Sequence, residues 1–532
     1  MVVGNAGNNG TFGNITTGSD GTDTLRPATY YNLVRQGNIQ VITAGADVIN
    51  PVSTDIQIEP ERQARSAQSI DQISTTATVS LNTLDILRNN LDKALTSGQL
   101  EVAIPLIEEL REQEYKNYLE SEITQSIADQ DTSSQKAAAL EQTQNILSNI
   151  TSQTRKAPAI IYAIAQPEQL QIILVTPNGK PILKTIRAAK RATLLKRVAQ
   201  FHTEVTNYRR QTGYLASAQQ LYQWLIAPIE AELKAQKIDT LAFSLDAGLR
   251  SLPLAALHDG KSFLVENYSI GLIPSINLTD TRYQDLKSSK VLAMGASKFT
   301  NQNSLPAVPV ELSTIVNNPI LAQNREIVPA NPSSTISEGI WTGKSFLNEE
   351  FTLANLKSQR TKDSFGIIHL ATHGEFRPGT PNDSYIQLWD ARLPIDQLRQ
   401  LGWNKPPVEL LVLSACRTAV GDENAELGFG GLAVAAGVKS VVASLWYVSD
   451  EGTLGLMSEF YQQLKTSTIK AEALRQAQIA MIKGQVRIED GKLRYSGSSG
   501  GVELPPELAR NGNKTLLHPY YWAAFTMIGS PW

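Results

Sequence analysis

Short apolar runs alternate with helical patterns over the second half of the chain, and this alternation limits the fold more than any other feature. The apolar runs read TLAFSL, KVLAMGA, FGIIHLATH, VELLVLSAC and SVVASLWYV, and helical stretches such as LGLMSEFYQQL and AEALRQAQIAMIKG accompany them. Strands that are apolar throughout are buried on both faces, which is typical of a parallel sheet covered by helices. The sequence therefore predicts an α/β fold with a largely parallel sheet flanked by helices.

Changes of pattern divide the 532 residues into regions. A chain of this length predicts about two to four domains. A start rich in Gly, Asn and Thr gives way to helical periodicity, then to a hairpin signal around PNG, and finally to the alternating runs. We expect four regions: a loosely ordered or short-stranded leader at 1–60, an α-helical spacer at 61–156, and two α/β halves at 157–290 and 291–532.

The composition excludes several classes of function. The formal net charge of -3 gives no electrostatic case for nucleic-acid binding. Because the sequence contains no run of about 18 apolar residues, we expect no membrane span. A single cysteine excludes an internal disulfide framework and a Cys-based metal site within the chain, and we expect no metal or other cofactor.

The first residues bear on location. The start MVVGNAG has neither a basic n-region nor an apolar h-region, so we expect no signal peptide and a cytoplasmic location. The Gly/Asn/Thr-rich start also resembles the tail of a repetitive β-helical surface protein. A cell-surface or secreted location is therefore the alternative, if this is the C-terminal part of an adhesin-like chain.

Two strand ends carry the candidate chemistry. His373 ends FGIIHLATH and is followed by Gly374, and the only cysteine, Cys416, ends VELLVLSAC 43 residues after His373. Reactive groups of open α/β sheets collect at the carboxyl ends of strands. A loop that leads into a helix N-terminus lowers the pKa of a thiol, and a nearby histidine serves as general acid and base. The N–H groups of Gly374 and Cys416 would then hold an oxyanion. The alternative is an inert buried cysteine beside a structural histidine.

The order of these residues is that of the caspases. There, a histidine lies about 50 residues before a single cysteine on a neighbouring parallel strand. The tripeptide Ala-Cys-Arg also echoes part of the caspase signature, although Ser414 stands where that signature has Gln and Thr418 where it has Gly.

Longer motifs resemble one family. HLATHGEF, LLVLSACRTAVGDENAELGFGGLAVAAGVKSVVASLWYVSDEGT and HPYYWAAFTMIG are similar to the CHAT domain, a caspase-like peptidase family often found beside tetratricopeptide repeats. The resemblance covers roughly residues 157–532. It implies a caspase/separase-like fold in which 157–290 is a pseudo-protease half and 291–532 is the catalytic half. It also implies that His373 and Cys416 are the catalytic pair.

The helical region suggests a partner. The stretch ALTSGQLEVAIPLIEELREQEYKNYL reads as a helix, a Gly turn and a second helix, and it resembles one degenerate tetratricopeptide-type unit. One copy is fewer than the three or so repeats that a solenoid needs. We therefore expect a helical docking module that binds a protein partner.

The residues after the strand SVVASLWYV bear on the choice of substrate. SLWYVSD is similar to the segment that lines the S1 pocket of separase-like proteases, where the Asp binds the P1 arginine. We therefore expect Asp450 to form the pocket floor and the P1 residue to be Arg or Lys. Glu451 is the alternative carboxylate. A second alternative is that Asp450 only caps the following helix.

Three further patterns give only weak indications of a functional site. His369 and His373 form H-x-x-x-H on a strand without the glutamate of a zinc protease, so we expect His369 to be a buried strand residue. GIWTGKS is one residue short of a phosphate-binding loop. GFGGLA follows a loop, so we expect it to serve tight helix–strand packing.

A long stretch near the end lacks periodicity. Residues 485–514 are rich in Gly, Ser, Pro and charge, which predicts an exposed, mobile loop at the edge of the sheet. It offers basic cleavage sites at Arg487, Lys492, Arg494 and Arg510, so self-cleavage is one hypothesis. A surface insertion without a role is the alternative.

Two functions follow from the sequence. The first is a cysteine endopeptidase that cleaves protein substrates, with His373 and Cys416 as its dyad. The second is a weakly active or inactive scaffold with the protease fold, part of a larger signalling or surface protein. Reactivity of the single thiol distinguishes the two.

Overall fold

The computed structural model describes residues 2–4, 39–41, 83–119, 139–317, 339–418 and 422–532. These residues belong to two units, which divide after residue 77. The described part of the first unit is an antiparallel pair of strands, β1 (Val2–Gly4) and β2 (Ile39–Val41). The rest of the leader expected at 1–60 lies outside the described residues.

The second unit contains the helices described here in chain order. They are α1 (83–96), α2 (Leu100–Leu119), α3 (Ala139–Thr154), α4 (Arg191–Val205), α5 (Leu215–Leu225), α6 (Glu230–Ala235), α7 (Leu264–Asn267), α8 (Val308–Ile315), α9 (Leu353–Lys362), α10 (Glu423–Gly430), α11 (Leu432–Ala436), α12 (Asp450–Leu464), α13 (Lys470–Ile482), α14 (Pro506–Ala509) and α15 (Pro519–Trp522). Over the described residues, no helix combines the length and the apolar character needed to cross a membrane.

The strands of the second unit follow the same numbering. They are β3 (Pro158–Gln166), β4 (Gln169–Val175), β5 (Ile182–Ile186), β6 (Thr240–Leu245), β7 (Ser269–Leu272), β8 (Val291–Gly295), β9 (Val316–Asn317), β10 (Trp341–Leu347), β11 (Ile367–Phe376), β12 (Tyr385–Gln387), β13 (Arg392–Pro394), β14 (Leu410–Thr418), β15 (Ser440–Ser444), β16 (Arg487–Glu489), β17 (Lys492–Tyr495), β18 (Ser498–Glu503), β19 (Lys514–Thr515) and β20 (Phe525–Gly529).

Most of these strands form one continuous sheet. Its order is β5-β4-β3-β6-β7-β20-β15-β14-β11-β8-β10-β9, and β12 and β13 attach beside β11. The neighbours β9, β10, β8, β11, β14 and β15 run parallel to one another, as do β3, β6 and β7. Helices cover this largely parallel sheet, so the predicted α/β architecture is confirmed.

The last described strand joins the two parts of the sheet. β20 pairs antiparallel with β15 over five residues and parallel with β7 at Ile528 and Leu272. The segment before this strand was expected at the edge of the sheet because the strand is the last one in the sequence. β20 itself is paired on both sides and lies in the interior of the sheet.

The helices that precede the sheet form one of its covering layers. In β3, Ile160 and Tyr162 pack into a cluster with leucines and isoleucines of α1 and α2, whereas Ile161 and Ala163 pack into the core on the opposite face. This alternation follows from the two-residue period of a strand, and it accounts for a strand that is apolar at every position.

A buried ionic cluster fastens α2 to the rest of the unit. Glu114 of α2 forms ion pairs with Arg111 and with Arg250 in the loop after β6, and Arg111 also pairs with Asp246 at 3.1 Å. All four side chains are buried. Glu426 of α10 accepts hydrogen bonds from the same loop, so α2 and α10 meet across it.

The glycines of GFGGLA allow close packing, as expected, but their partner is a helix. A Cβ atom on Gly428 would lie 2.8 Å from the hydroxyl of Tyr118, and one on Gly431 would lie 2.7 Å from the ring of Tyr115. Both tyrosines belong to α2. The expected helix–strand contact is therefore corrected to a helix–helix contact.

The segment 485–514 is not an irregular loop. Its strands form an antiparallel sheet in the order β18-β17-β16-β19, and Ile488 and Leu493 are buried. The turn between β16 and β17 is Asp490-Gly491, with φ values of 53° and 72°. Two consecutive residues with positive φ form the tight turn that Asp-Gly favours in hairpins.

This small sheet packs on α12. A Cβ atom on Gly455 of that helix would lie 2.9 Å from Val486 and 3.1 Å from Leu516. The prediction of an unstructured loop was therefore wrong. The self-cleavage hypothesis loses its basis, because three of its four basic residues lie in strands.

Candidate active site

The ends of β11 and β14 bring the sequence-predicted residues together. The two strands are parallel neighbours, and Gly374 of β11 is the register partner of Cys416 in β14. Neighbouring strands lie about 4.8 Å apart. His373 therefore immediately precedes the residue that faces Cys416 across the ladder.

An irregularity in β11 lies at this point. The register between β11 and β14 shifts between Ala371 and Gly374, so His373 lies within a bulge. Bulges re-aim side chains and occur often beside active sites. The apolar run that identified the strand could not reveal the bulge, because a bulge changes the backbone and not the residue pattern.

The imidazole of His373 is held by a backbone carbonyl. Its Nε2–H donates to the carbonyl oxygen of Asn303 at 2.8 Å. A carbonyl only accepts, so in the neutral ring the hydrogen is on Nε2 and Nδ1 is an acceptor. Sequence reasoning missed Asn303 because its main chain makes the contact and its residue type gives no signal.

Two aromatic rings also contact His373. The ring of Phe299 lies 4.7 Å from the imidazole centroid, and the ring of Tyr447 stacks at 6.3 Å with an interplanar angle of 22°. Tyr447 is 40% exposed, so this side of the site faces solvent. It belongs to the motif SLWYVSD, which therefore contained a second site residue that the sequence analysis did not single out.

Asp450 contacts Tyr447, whose ring stacks on His373. The hydroxyl of Tyr447 donates to its Oδ1 at 3.3 Å. Asp450 is the first residue of α12, and the cap is the preceding Ser449, whose Oγ accepts from the Gly452 N–H at 3.3 Å. The alternative that Asp450 merely caps this helix is therefore wrong.

The environment of Asp450 disfavours its charge. The pKa of this carboxyl is raised to about 6, mainly by burial and also by the negative charges of Glu311 and Glu451, although hydrogen bonds from the Ala307 N–H and the Tyr447 hydroxyl oppose the rise. A positively charged partner would stabilise the ionised form of a carboxylate in such a setting.

Glu451 has other partners. Its carboxylate accepts a hydrogen bond from Asn511 Nδ2 at 2.5 Å and lies 3.8 Å from Lys514 Nζ. Both residues belong to the segment 485–514. Asp450 thus contacts Tyr447, whereas Glu451 contacts the segment that forms the small sheet on α12.

His369 is buried, as the sequence predicted, and contacts a carboxylate. Its Nε2 lies 3.1 Å from Glu311 Oε1, without the angles of a hydrogen bond, and its Nδ1 lies 3.1 Å from the Tyr461 hydroxyl. Over the described residues, no group of three or more His, Cys, Asp or Glu side chains is placed to hold a metal ion.

A polar cleft opens beside the site. It has a volume of about 620 Å³, and its lining includes Phe299, which also contacts His373. The remaining lining comes from the loop after β8 and from the β12–β13 turn, and includes Lys298, Gln387, Trp389, Asp390 and Arg392.

Comparison with solved structures shows distant similarity to cysteine peptidases. The separase chain of the Saccharomyces cerevisiae separase–securin complex matches with 11% identity and a TM-score of 0.48, over 82% of this chain and 34% of that chain. This chain thus spans about a third of the separase chain. The Arg-specific cysteine proteinase gingipain R matches with 10% identity and a TM-score of 0.33, over 63% of this chain and 75% of that chain.

Sequence comparison identifies the family. No curated protein sequence matches the chain. The family model of the CHAT domain matches residues 215–530, and this range includes β11, β14 and the start of α12, where the candidate site lies. That match covers more than half of the 532 residues, and the protein therefore belongs to the CHAT domain family.

Proposed function

We propose that this protein is a cysteine endopeptidase in which His373 and Cys416 form the catalytic dyad. The observation that carries the proposal is the register of β11 and β14, which places Cys416 opposite Gly374, next to His373. The hydrogen bond from His373 to Asn303 supports it, because it leaves Nδ1 as the acceptor that a thiol proton needs.

The proposed reaction uses the two residues in sequence. Nδ1 of His373 takes the proton of the Cys416 thiol, and the thiolate attacks the carbonyl carbon of the scissile peptide. The imidazolium then returns that proton to the leaving amine, the C–N bond breaks, and an acyl-enzyme forms. His373 then deprotonates a water molecule, which attacks the thioester carbonyl carbon. The C–S bond breaks, the carboxylic acid product leaves, and the imidazolium returns the proton to the Cys416 sulfur.

Backbone groups stabilise the oxyanion in this proposal. The N–H groups of Gly374 and Cys416 are the proposed donors, because they lie at the same level of adjacent strands. Gly374 also pairs with Ile386 in β12, so its strand has a neighbour on both sides. Its lack of a side chain lets the substrate carbonyl approach the backbone closely.

We also propose that Asp450 selects a basic P1 residue. Its carboxylate is desolvated, and its described protein contacts are hydrogen-bond donors that carry no positive charge. A P1 guanidinium or ammonium supplies that charge, and Arg pairs bidentately. Glu451 does not enter this proposal, because its carboxylate already binds Asn511.

The substrate in this proposal is a protein chain, and the cleft beside Phe299 receives part of it. We assign catalysis to the half at 291–532, which carries the dyad, and a supporting role to the half at 157–290. The helices at 83–119 are the proposed contact for a protein partner, and Ile86 and Val102 are exposed apolar side chains there.

A peptide library with varied P1 residues tests the proposal. Wild-type protein is expected to cleave after Arg and Lys, and Cys416→Ala is expected to cleave nothing. Cleavage after Asp would contradict the assignment of Asp450. Alkylation of the single thiol with iodoacetamide across pH gives an independent readout. A thiol pKa near the ordinary value of about 8.5, together with no cleavage, would favour the scaffold function instead.

A further inference from the structure

One buried carboxylate contacts both strands that carry the proposed dyad. Glu311 of α8 is 1% exposed. The hydroxyl of Ser414 in β14 donates to Glu311 Oε1 at 2.7 Å, and Nε2 of His369 in β11 lies 3.1 Å from the same oxygen. Ser414 precedes Cys416 by two residues, and His369 precedes His373 by four.

The surroundings of this carboxylate are closed to water. His369 is fully buried, and so is Tyr461 of α12, whose hydroxyl lies 3.1 Å from His369 Nδ1. Burying a carboxylate has a free-energy cost that an apolar side chain of similar volume avoids. A carboxylate at this position therefore calls for a role other than filling the core.

The same segment of chain touches the site at two further points. The N–H of Ala307, at the start of α8, donates to Asp450. The carbonyl oxygen of Asn303 accepts from His373. The stretch 303–311 thus contacts His373 directly, Asp450 directly, and both dyad strands through Glu311.

We infer that Glu311 is a positioning residue, which holds β11 and β14 in the alignment that brings His373 to Cys416. It acts through Ser414 and His369 and does not touch the reacting atoms. This inference rests on the proposed function. Because strands joined only by their ladder tolerate small shifts, a shared side-chain anchor beneath both of them fixes the distance between the two reactive groups.

Two variants separate positioning from folding. Glu311→Gln keeps the size and one oxygen acceptor but removes the charge, and Ser414→Ala removes only the hydroxyl. Glu349→Gln is the matched control, since Glu349 is an exposed glutamate in the same half. For each variant we would measure kcat and KM on an Arg-P1 peptide, the iodoacetamide rate of the single thiol at pH 7, and the melting temperature.

We expect both variants to lower kcat about 10–100-fold, with KM within about twofold of the wild type, because misplacement of the reacting groups affects the chemical step. The alkylation rate is expected to fall about tenfold, because the thiolate loses its alignment with His373. The double variant should be no slower than the slower single variant, since both changes alter the same contact between Ser414 and Glu311. The control should match the wild type.

The opposite pattern overturns the inference. If Glu311→Gln and Ser414→Ala lower the melting temperature but retain kcat and thiol reactivity, Glu311 is only structural. If Glu311→Gln does not fold, the kcat and the alkylation rate of Ser414→Ala alone test the inference. If the wild type cleaves no peptide, the proposed function fails, and unchanged alkylation rates in the variants would then reject the positioning role separately.

Discussion

Nε2 of His373 lies 2.8 Å from the carbonyl oxygen of Asn303, and this contact places the hydrogen of the neutral ring on Nε2 and leaves Nδ1 as its acceptor. Main-chain carbonyls cannot ionise, so the tautomer holds over the whole pH range in which the imidazole is neutral. The predictions below follow from this arrangement and from the charged groups around it.

The first prediction concerns the dyad. His373→Ala should lower kcat/KM about 10²–10⁴-fold, because proton transfer to and from the ring is lost. Cys416→Ala should abolish cleavage. Peptide hydrolysis and far-UV circular dichroism, measured on the same samples, check both. His258→Ala, in the other α/β half, is the control and should retain activity. Substantial activity in Cys416→Ala would reject the cysteine mechanism.

The second prediction concerns specificity. Asp450→Asn keeps the shape of the side chain but removes its charge, so a buried P1 guanidinium would lose its partner. We expect kcat/KM for Arg-P1 peptides to fall by the equivalent of about 2–5 kcal/mol. The alkylation rate of the thiol should change little. An equal loss on peptides with a neutral P1 residue would mean that Asp450 supports the structure and does not select the substrate.

The third prediction is a pH dependence. Because the pKa of Asp450 is raised to about 6, the carboxyl is neutral below that pH and charged above it. Cleavage after Arg should therefore rise with pH through about 6, and Asp450→Asn should lack this limb. In Glu311→Gln the midpoint should move to lower pH, since the charge of Glu311 raises the pKa of Asp450. An unshifted midpoint would show that the two carboxylates do not interact.

The raised pKa of Asp450 also affects the stability of the folded protein. The folded-state pKa of about 6 lies above the ordinary value of 3.8, so ionised Asp450 destabilises the folded protein at neutral pH. Asp450→Asn should raise the free energy of unfolding at pH 7 by about 2 kcal/mol. The gain should shrink as the pH falls from about 6 to about 3, below the ordinary value of 3.8, where the wild-type carboxyl is protonated in both states. Urea unfolding at both pH values measures it.

The fourth prediction concerns the contact between α2 and the rest of the unit. Burial would raise the pKa of Glu114, but the charges of Arg250 and Arg111 outweigh it and lower that pKa. Glu114→Gln removes the carboxylate that pairs with Arg250 and leaves Arg111 paired only with Asp246, which should cost about 3–5 kcal/mol of stability. The exposed Glu101→Gln in the same helix should cost less than about 1 kcal/mol. Equal effects would show that the cluster is not needed for folding.

Acid should weaken the same contact. The folded-state pKa of Glu114 lies below its ordinary value of 4.5, so its stabilisation is present above that pH and is lost as the pH falls through the folded-state pKa. The difference between wild type and Glu114→Gln should therefore shrink in acid. A difference that stays constant down to pH 2 would contradict the linkage.

The strands, and the location of His373 and Cys416 at the ends of two neighbouring strands, could be predicted from the sequence because their signals are local. FGIIHLATH and VELLVLSAC are apolar enough to identify buried strands, and their ends identify His373 and Cys416. The hairpin at Asp490-Gly491 also had a local signal. The many Gly and Ser residues around it are typical of a loop, and they outweigh that local signal when only the sequence is considered.

Other features could not be predicted because they depend on contacts between distant segments. Asn303 acts through its backbone, so its side chain gives no indication of the role. Glu311 lies in LPAVPVELSTI, where a single glutamate on a short helix reads as a solvent-facing residue. Its burial becomes evident only when α8 packs against β11 and β14.

The position of β20 affects how the molecule is made. A ribosome synthesises β7 and β15 long before β20, yet β20 is the strand that lies between them. Until it arrives, the nascent chain presents two unpaired strand edges, which are sites for association with other chains. The two parts of the sheet can join only after β20 has been translated, so the strands that bear the candidate site are made before the sheet that holds them is continuous.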